Sequence, residues 1–94
     1  MNNNYYTNFG GTIIEEQASL NRFYVFTTEL SKNKHVRFTG KDDDVDNIDW
    51  HFKYRGKPLT LQFNMFNGIS LLSQRDKDIP AINEVAGLLT GKTA

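Results

Sequence analysis

One six-residue segment constrains the fold of this chain more than any other: Trp50-His51-Phe52-Lys53-Tyr54-Arg55. The aromatic residues occupy the even positions and the cationic or imidazole groups the odd positions, which is the two-residue period of a β-strand. Successive side chains of a strand point to opposite faces of the sheet. The segment therefore predicts an antiparallel sheet with one covered apolar face and one polar, solvated face.

The residues after this segment predict the next strand of the sheet. Residues 59–66 alternate apolar and polar side chains and should pair with the aromatic strand. A four-residue loop over residues 55–58 is favoured, because it keeps Pro58 out of the ladder, where proline has no N–H to donate. In that register every apolar side chain of one strand meets an apolar partner on the other.

The dipeptide Asn67-Gly68 predicts a two-residue type I′ turn, because both central positions of that turn require positive φ. It leads into a strand predicted over residues 69–74. The turn places three apolar side chains together on the face away from the aromatic core: Phe66, Ile69 and Leu71. Two interpretations of this cluster stay open. Either Tyr5, Tyr6 and Phe9 fold over it, or it is exposed and forms an interface with a second copy or another protein.

The N-terminal half is less regular in sequence. Residues 1–9 predict a loosely ordered arm, and residues 12–15 a short first strand. The aromatic and β-branched residues 23–28 predict a second strand. Residues 31–34 predict a polar hairpin loop that leads into a strand over residues 35–39.

Residues 78–90 predict the C-terminal helix. Asp78 stands at the N-cap position, Pro80 suits the first turn, and Gly91 is a typical C-terminal stop. Its apolar stripe should cover the aromatic face of the sheet. The predicted fold class is α+β: an antiparallel β-meander of five or six strands, with one C-terminal helix packed on one face, as a single domain over residues 1–94.

Composition limits the chemistry open to this chain. The 94 residues include no cysteine, which excludes disulfides, thiolate nucleophiles and cysteine-based metal centres. Small secreted domains usually depend on disulfides, so we predict a cytoplasmic location. The N-terminus has neither the basic start nor the apolar run of a signal peptide. No stretch approaches the roughly 18 apolar residues that span a bilayer, and we expect no membrane association.

The charges balance overall but are arranged in blocks. Eleven Lys+Arg oppose eleven Asp+Glu, which argues against a whole-domain basic field of the kind that holds nucleic acid. Residues 32–41 nevertheless carry a net charge of +4, residues 42–49 carry −5 and residues 50–57 carry +3. The neutral chain is therefore predicted to have an electrically patterned surface.

The acidic block supplies the candidate partner-binding residues: Asp42, Asp43, Asp44, Asp46 and Asp49. Asp42, Asp44 and Asp46 lie at every second position, as do the first ligands of an EF-hand calcium loop. The rest of that pattern is missing, because Asn47 stands where glycine is needed and Lys53 where the bidentate glutamate belongs. We therefore expect no metal site. Two interpretations remain: a solvated loop between strands, or an acidic contact for a basic protein partner.

No catalytic set is evident in the sequence, and we expect neither catalytic residues, a cofactor nor enzymatic activity. His35 and His51 fall in predicted strands at solvent-facing positions, and a catalytic role would require one of them to approach an aspartate. The leading hypothesis is a small non-catalytic protein-binding module, such as an inhibitor or immunity-type protein, that uses the acidic loop over residues 42–49.

The alternative hypothesis is single-stranded nucleic-acid binding through a Lys/Arg-rich sheet face, formed by Lys32, Lys34, Arg37, Lys41, Lys53, Arg55 and Lys57. Such binding combines phosphate contacts with aromatic stacking platforms on one surface. The pleat of residues 50–55 puts aromatic and cationic side chains on opposite faces. Nucleic acid is therefore the weaker of the two partner hypotheses.

Overall fold

A computed structural model describes residues 11–73 and 75–91, so the arm predicted over residues 1–9 lies outside the described residues. Five antiparallel strands form one sheet in the order β1-β5-β4-β3-β2. The α+β class predicted from the sequence is confirmed. The elements along the chain are β1 (Gly11–Glu15), α1 (Leu20–Ser31), β2 (Val36–Asp43), β3 (Asn47–Tyr54), β4 (Lys57–Asn64), β5 (Gly68–Leu72), a 3₁₀ turn (Asp76–Asp78) and α2 (Ile79–Thr90).

The segment predicted as a second strand is instead helix α1. Its buried residues Phe23, Phe26 and Leu30 follow helical spacing, and the Ser19 side chain caps the first turn by accepting from the backbone N–H of Arg22 at 3.3 Å. Packing of this stripe on the sheet overrides the β-propensity of the aromatic and β-branched run. The polar residues after α1 consequently join a helix to β2, not two strands.

Both helices cover the same face of the sheet. Helix α1 packs on β2 and β4, and α2 packs on β1 and β5. The ring of Phe23 on α1 lies 6.0 Å from Trp50 in an edge-to-face arrangement and 5.9 Å from Phe63. The aromatic face was predicted to lie under the C-terminal helix, and it is α1 that lies against Trp50 and Phe63.

The turn between β3 and β4 is shorter than predicted. Arg55 and Gly56 form a two-residue turn with φ values of 52° and 82°, the positive values that a type I′ turn requires. Pro58 is tolerated in β4 because it lies beyond the pairing with β5, which begins at Thr60 opposite Leu72. The pairing of β3 with β4 is shifted by two residues relative to the prediction. Because two is an even number, every side chain of these strands keeps its predicted face.

The turn between β4 and β5 is longer than predicted. It contains residues 65–67, and Gly68 with a φ of 86° opens β5. The side chain of Asn64 stabilises this longer turn by accepting the backbone N–H groups of Phe66 and Asn67. The turn is closed by the pair Asn64 and Gly68, whereas the predicted turn would be closed by Phe66 and Ile69. The pairing of β4 with β5 is therefore shifted by three residues relative to the prediction. Because three is an odd number, the two faces of β5 are exchanged.

This exchange makes the predicted cluster of Phe66, Ile69 and Leu71 wrong. Ile69 and Leu71 are 0% exposed and belong to the core beneath the helices. Leu72, the next residue of β5, lies on the open face of the sheet opposite Thr60. Only Phe66 remains on the surface, so the three side chains do not share an exposed face.

The prediction for the C-terminal helix is confirmed in its bounds. Pro80 lies in the first turn, and Gly91 ends the helix in a left-handed conformation, with its N–H donating to the carbonyl of Gly87. Asp78 occupies the N-cap position without a capping hydrogen bond, since its carboxylate accepts from Arg75 Nε at 2.6 Å instead. Within the described ranges neither helix has the length and apolar character needed to cross a bilayer.

Gly68 lies close to the backbone of Glu15 and Glu16, and this close approach predicts that two glycine substitutions will differ in their effect on stability. A Cβ on Gly68 would clash with the backbone oxygens of Glu15 and Glu16, whereas a Cβ on Gly56 would meet nothing. Both variants carry left-handed strain, about 1–3 kcal/mol. We expect Gly68→Ala to lower the free energy of unfolding by roughly 1–3 kcal/mol more than Gly56→Ala, measured by chemical denaturation. Equal losses would contradict the close approach.

An ion pair joins β1 to α1 and predicts a pH-dependent contribution to stability. Hydrogen bonds from Arg22 hold the pKa of the Glu15 carboxyl below its usual range. A lowered folded-state pKa means that the contribution is complete above about pH 4.3, the ordinary glutamate value, and is lost as the pH falls through the lowered pKa. Glu15→Gln should therefore reduce the Tm at neutral pH and have no effect in strong acid. Glu16→Gln is the control, and the same profile for it would refute the assignment.

Candidate functional site

Two turns meet at one end of the sheet and form the most exposed apolar surface of the described chain. The backbone N–H of Met65, between β4 and β5, donates to the carbonyl of Asp46, between β2 and β3, at 3.3 Å. Val45 is 91% exposed, Phe66 76% and Met65 62%. We call this surface the hairpin end; it consists of Asp44, Val45, Asp46, Met65 and Phe66.

Hydrogen bonds fix the backbone of the hairpin end. Asn64 Oδ1 accepts from the N–H groups of Phe66 and Asn67 at 2.8 and 2.9 Å, and Asn64 Nδ2 donates to Asn47 Oδ1 at 2.6 Å. The N–H of Asp44 donates to the carbonyl of Asn47 at 2.8 Å and closes the other turn. Side chains of asparagine commonly order turns in this way. The exposed apolar side chains therefore stand on a preordered backbone.

The five candidate aspartates do not form the single loop that the sequence predicts. Asp44 and Asp46 lie in the short turn at the hairpin end. Asp42 and Asp43 belong to β2, which continues beyond the predicted strand over residues 35–39, and Asp49 belongs to β3. The structure therefore distributes the acidic block over the turn and the two strands that flank it.

A hydrogen-bonded chain crosses the open face of the sheet. His51 Nδ1 lies 2.8 Å from Thr60 Oγ1, and His51 Nε2 lies 2.8 Å from Asp42 Oδ2. The approach of a histidine to an aspartate, which a catalytic role requires, is thus present. Thr60 is paired with His51 on one side and Leu72 on the other, so the β4 backbone there has no free N–H groups to stabilise an oxyanion. The chain fixes the orientation of the imidazole.

The open face is a groove of about 720 Å³ whose lining includes Asn47, Asp49, Lys53, Gln62, Asn64 and Arg75. Asp49 lies opposite Asp42 on β2 and Gln62 on β4. Its Oδ1 atom is buried and accepts no hydrogen bond from any residue that the structure describes. A carboxylate oxygen without a donor is costly to bury, because it loses the hydrogen bonds it would make in water.

The seven candidate cations are spread over several surfaces. Lys53 and Arg37 are paired across β3 and β2 on the open face. Lys41 lies on the helix side, 4.9 Å from the ring of Trp50, and Arg55 stacks on Tyr54 at the opposite end of β3 from the hairpin end. Within the described residues, the aromatic rings of β3 all face the helices. The open face therefore carries cations but none of the β3 aromatic rings on which bases could stack.

The second histidine, His35, lies outside the groove. It comes just before β2, not within it, and its ring packs edge-to-face on Tyr54 at 6.3 Å. Among residues 11–73 and 75–91, no group of three or more histidine, cysteine, aspartate or glutamate side chains is placed to hold a metal ion.

No protein family, no curated protein and no solved structure matches this chain. The hairpin end and the groove therefore have to be interpreted from their own geometry. Two of the most exposed residues of the hairpin end, Val45 and Met65, were missed from the sequence. An apolar side chain between Asp44 and Asp46 was an available signal for Val45, since an apolar residue inside an acidic turn has nowhere to be buried.

The asparagine network predicts how the hairpin end responds to a single substitution. Asn64→Ala removes the acceptor of the Phe66 and Asn67 amides. Because a hydrogen bond contributes roughly 1 kcal/mol, we expect these two amides to exchange with solvent about 5–10-fold faster. Amide hydrogen exchange measured by NMR tests this, with the exposed Asn83→Ala on α2 as the control. Unchanged exchange in Asn64→Ala would mean that its side chain does not order the turn.

Proposed function

We propose that this protein is a non-catalytic protein-binding module whose hairpin end docks into an apolar pocket of a basic partner protein. The supporting observation is the exposed trio Val45, Met65 and Phe66 on two turns that are hydrogen-bonded to each other. Large exposed apolar side chains gathered on one surface mark interaction sites. Phenylalanine and methionine are also enriched at protein interfaces.

The preordered backbone of the hairpin end favours this use. Binding normally costs free energy to order flexible loops, and a turn already fixed by Asn64 and Asn47 reduces that cost. Phe66 is the natural anchor because it is the one aromatic side chain of the hairpin end and is 76% exposed. Val45 and Met65 would contribute apolar contacts around it.

The charges around the apolar trio indicate the partner. Asp44 and Asp46 flank Val45 in the same turn, and Asp43 precedes them. Carboxylates at the rim of an interface accelerate association with a positively charged partner. A basic site on an enzyme is one target of this kind, and blocking it would make the protein an inhibitor or immunity-type protein. We place this activity in the cytoplasm, since the chain folds without cysteine.

The proposal predicts which substitutions abolish partner capture. The wild-type chain, Phe66→Ser and the control Leu88→Ser, whose side chain is 52% exposed on α2, are immobilised and used to capture partners from the native source. We expect Phe66→Ser to lose the captured protein, with a loss of affinity of at least about 30-fold for an anchor of this kind. Leu88→Ser should retain it. Capture by Phe66→Ser equal to wild type would refute the proposal.

The acidic residues of the hairpin end can be tested against a matched aspartate elsewhere. The double variant Asp44→Asn, Asp46→Asn should associate more slowly with the captured partner and show a weaker salt dependence of association. Asp76→Asn, a matched change in the 3₁₀ turn, should show neither effect.

Two other outcomes would identify a different partner. If the chain forms a concentration-dependent dimer that Phe66→Ser abolishes, the partner at the hairpin end is a second copy of the chain. A salt-sensitive mobility shift with single-stranded RNA, unaffected by Phe66→Ser, would favour the nucleic-acid alternative over the proposal.

A further inference from the structure

The groove on the open face begins where the hairpin end stops. Asn47 and Asn64 line the groove, and they are the residues at which β3 begins and β4 ends, next to the two turns. Asp49 is the next residue of β3 on the same face as Asn47, about 6.6 Å further along the strand. A partner bound at the hairpin end would therefore be close enough for one of its long side chains to reach Asp49.

Asp49 has an unsatisfied buried acceptor in this part of the groove. Its Oδ1 atom is buried without a donor among the described residues, and its cross-strand neighbour Asp42 adds a second negative charge. Like charges directly opposite each other on neighbouring strands are destabilising. Oδ2 of Asp42 faces His51, while no side chain is hydrogen-bonded to Asp49 Oδ1 among the residues that the structure describes. A cation entering the groove would satisfy Asp49 and relieve this repulsion.

We propose that the groove receives an arginine side chain of the protein partner and that Asp49 selects it. This inference rests on the proposed function, because the partner on the hairpin end supplies the arginine. A guanidinium carries five N–H donors in one plane and can donate to several acceptors at once. The groove offers the carboxylate of Asp49 and the side-chain oxygen of Gln62 directly across from it. Contact with Oδ1 requires the carboxylate to rotate about χ2, which is a soft torsion in aspartate.

The cations of the groove do not oppose this assignment. Lys53 lies four residues from Asp49 along β3, a distance of about 13 Å, which exceeds the Debye length of about 8 Å at physiological ionic strength. Arg75 lines the groove but is bound to Asp78 at 2.6 Å. The positive charges are therefore distant or neutralised, and the end of the groove nearest the hairpin end is electronegative.

The test uses two small probes and needs no partner. N-acetyl-arginine amide is titrated into the ¹⁵N-labelled protein, and N-acetyl-citrulline amide, which has the same shape without the charge, is the control. We expect the arginine probe to shift the amide signals of Asn47, Asp49 and Gln62 in a saturable way, and the citrulline probe to bind at least 10-fold more weakly. Equal shifts with both probes, or no shift at these three amides, would overturn the inference.

One matched pair of variants completes the test. Asp49→Asn keeps the side-chain shape and removes one of two opposed carboxylates, so we expect it to fold with an unchanged or higher Tm and to lose the response to arginine at least 10-fold. Asp76→Asn should keep the response. An undiminished response in Asp49→Asn would refute the role of Asp49.

The two proposals can fail separately. If Phe66→Ser loses the partner while the arginine probe does not bind, docking at the hairpin end stands and the arginine site is refuted. If the arginine probe binds in the groove while Phe66→Ser keeps the partner, the arginine site stands and docking at the hairpin end is refuted.

Discussion

The structure depends on the separation of aromatic and polar side chains on the two faces of β3. Phe52 and Tyr54 are buried, Trp50 packs beside them, and both helices lie on this one side of the sheet. The pleat sends His51 and Lys53 to the other side, where the polar groove forms. Because both helices are committed to the aromatic face, none is left among the described elements to cover the opposite one. The same alternation therefore produces both the core and the surface on which we expect function.

The strands and the C-terminal helix could be predicted from sequence because they depend on local patterns. The alternation of β3 and the apolar stripe of α2 before Gly91 are each contained in a few consecutive residues. Helix α1 was missed because Phe23, Tyr24, Val25 and Phe26 are all apolar, and four consecutive apolar residues fit a buried strand as well as a helix. Only the sheet underneath decides between them, and it is assembled from residues far away in sequence.

The candidate site was predicted less completely, because it depends on two turn lengths. A register error of two residues beyond Arg55 and Gly56 left every face correct, whereas a register error of three residues beyond Asn64 moved Ile69 and Leu71 from a supposed surface into the core. The extra residue in that turn follows from hydrogen bonds of the Asn64 side chain, which short-range turn rules for the following dipeptide do not include. The five aspartates were predicted to share one loop, whereas the structure divides them between a turn and two strands.

The two turns of the hairpin end differ in how much change they can absorb. Gly68, at the end of one turn, lies so close to the backbone of Glu15 and Glu16 that there is no room for a Cβ atom. This turn is therefore packed against the end of the edge strand β1. Val45, at the tip of the other turn, is 91% exposed and has no such neighbour among the described residues. Insertions should accordingly be tolerated beside Val45 and rejected between Asn64 and Gly68. The acidic turn is therefore the part of the hairpin end that can change in length, with the Phe66 turn as the fixed reference beside it.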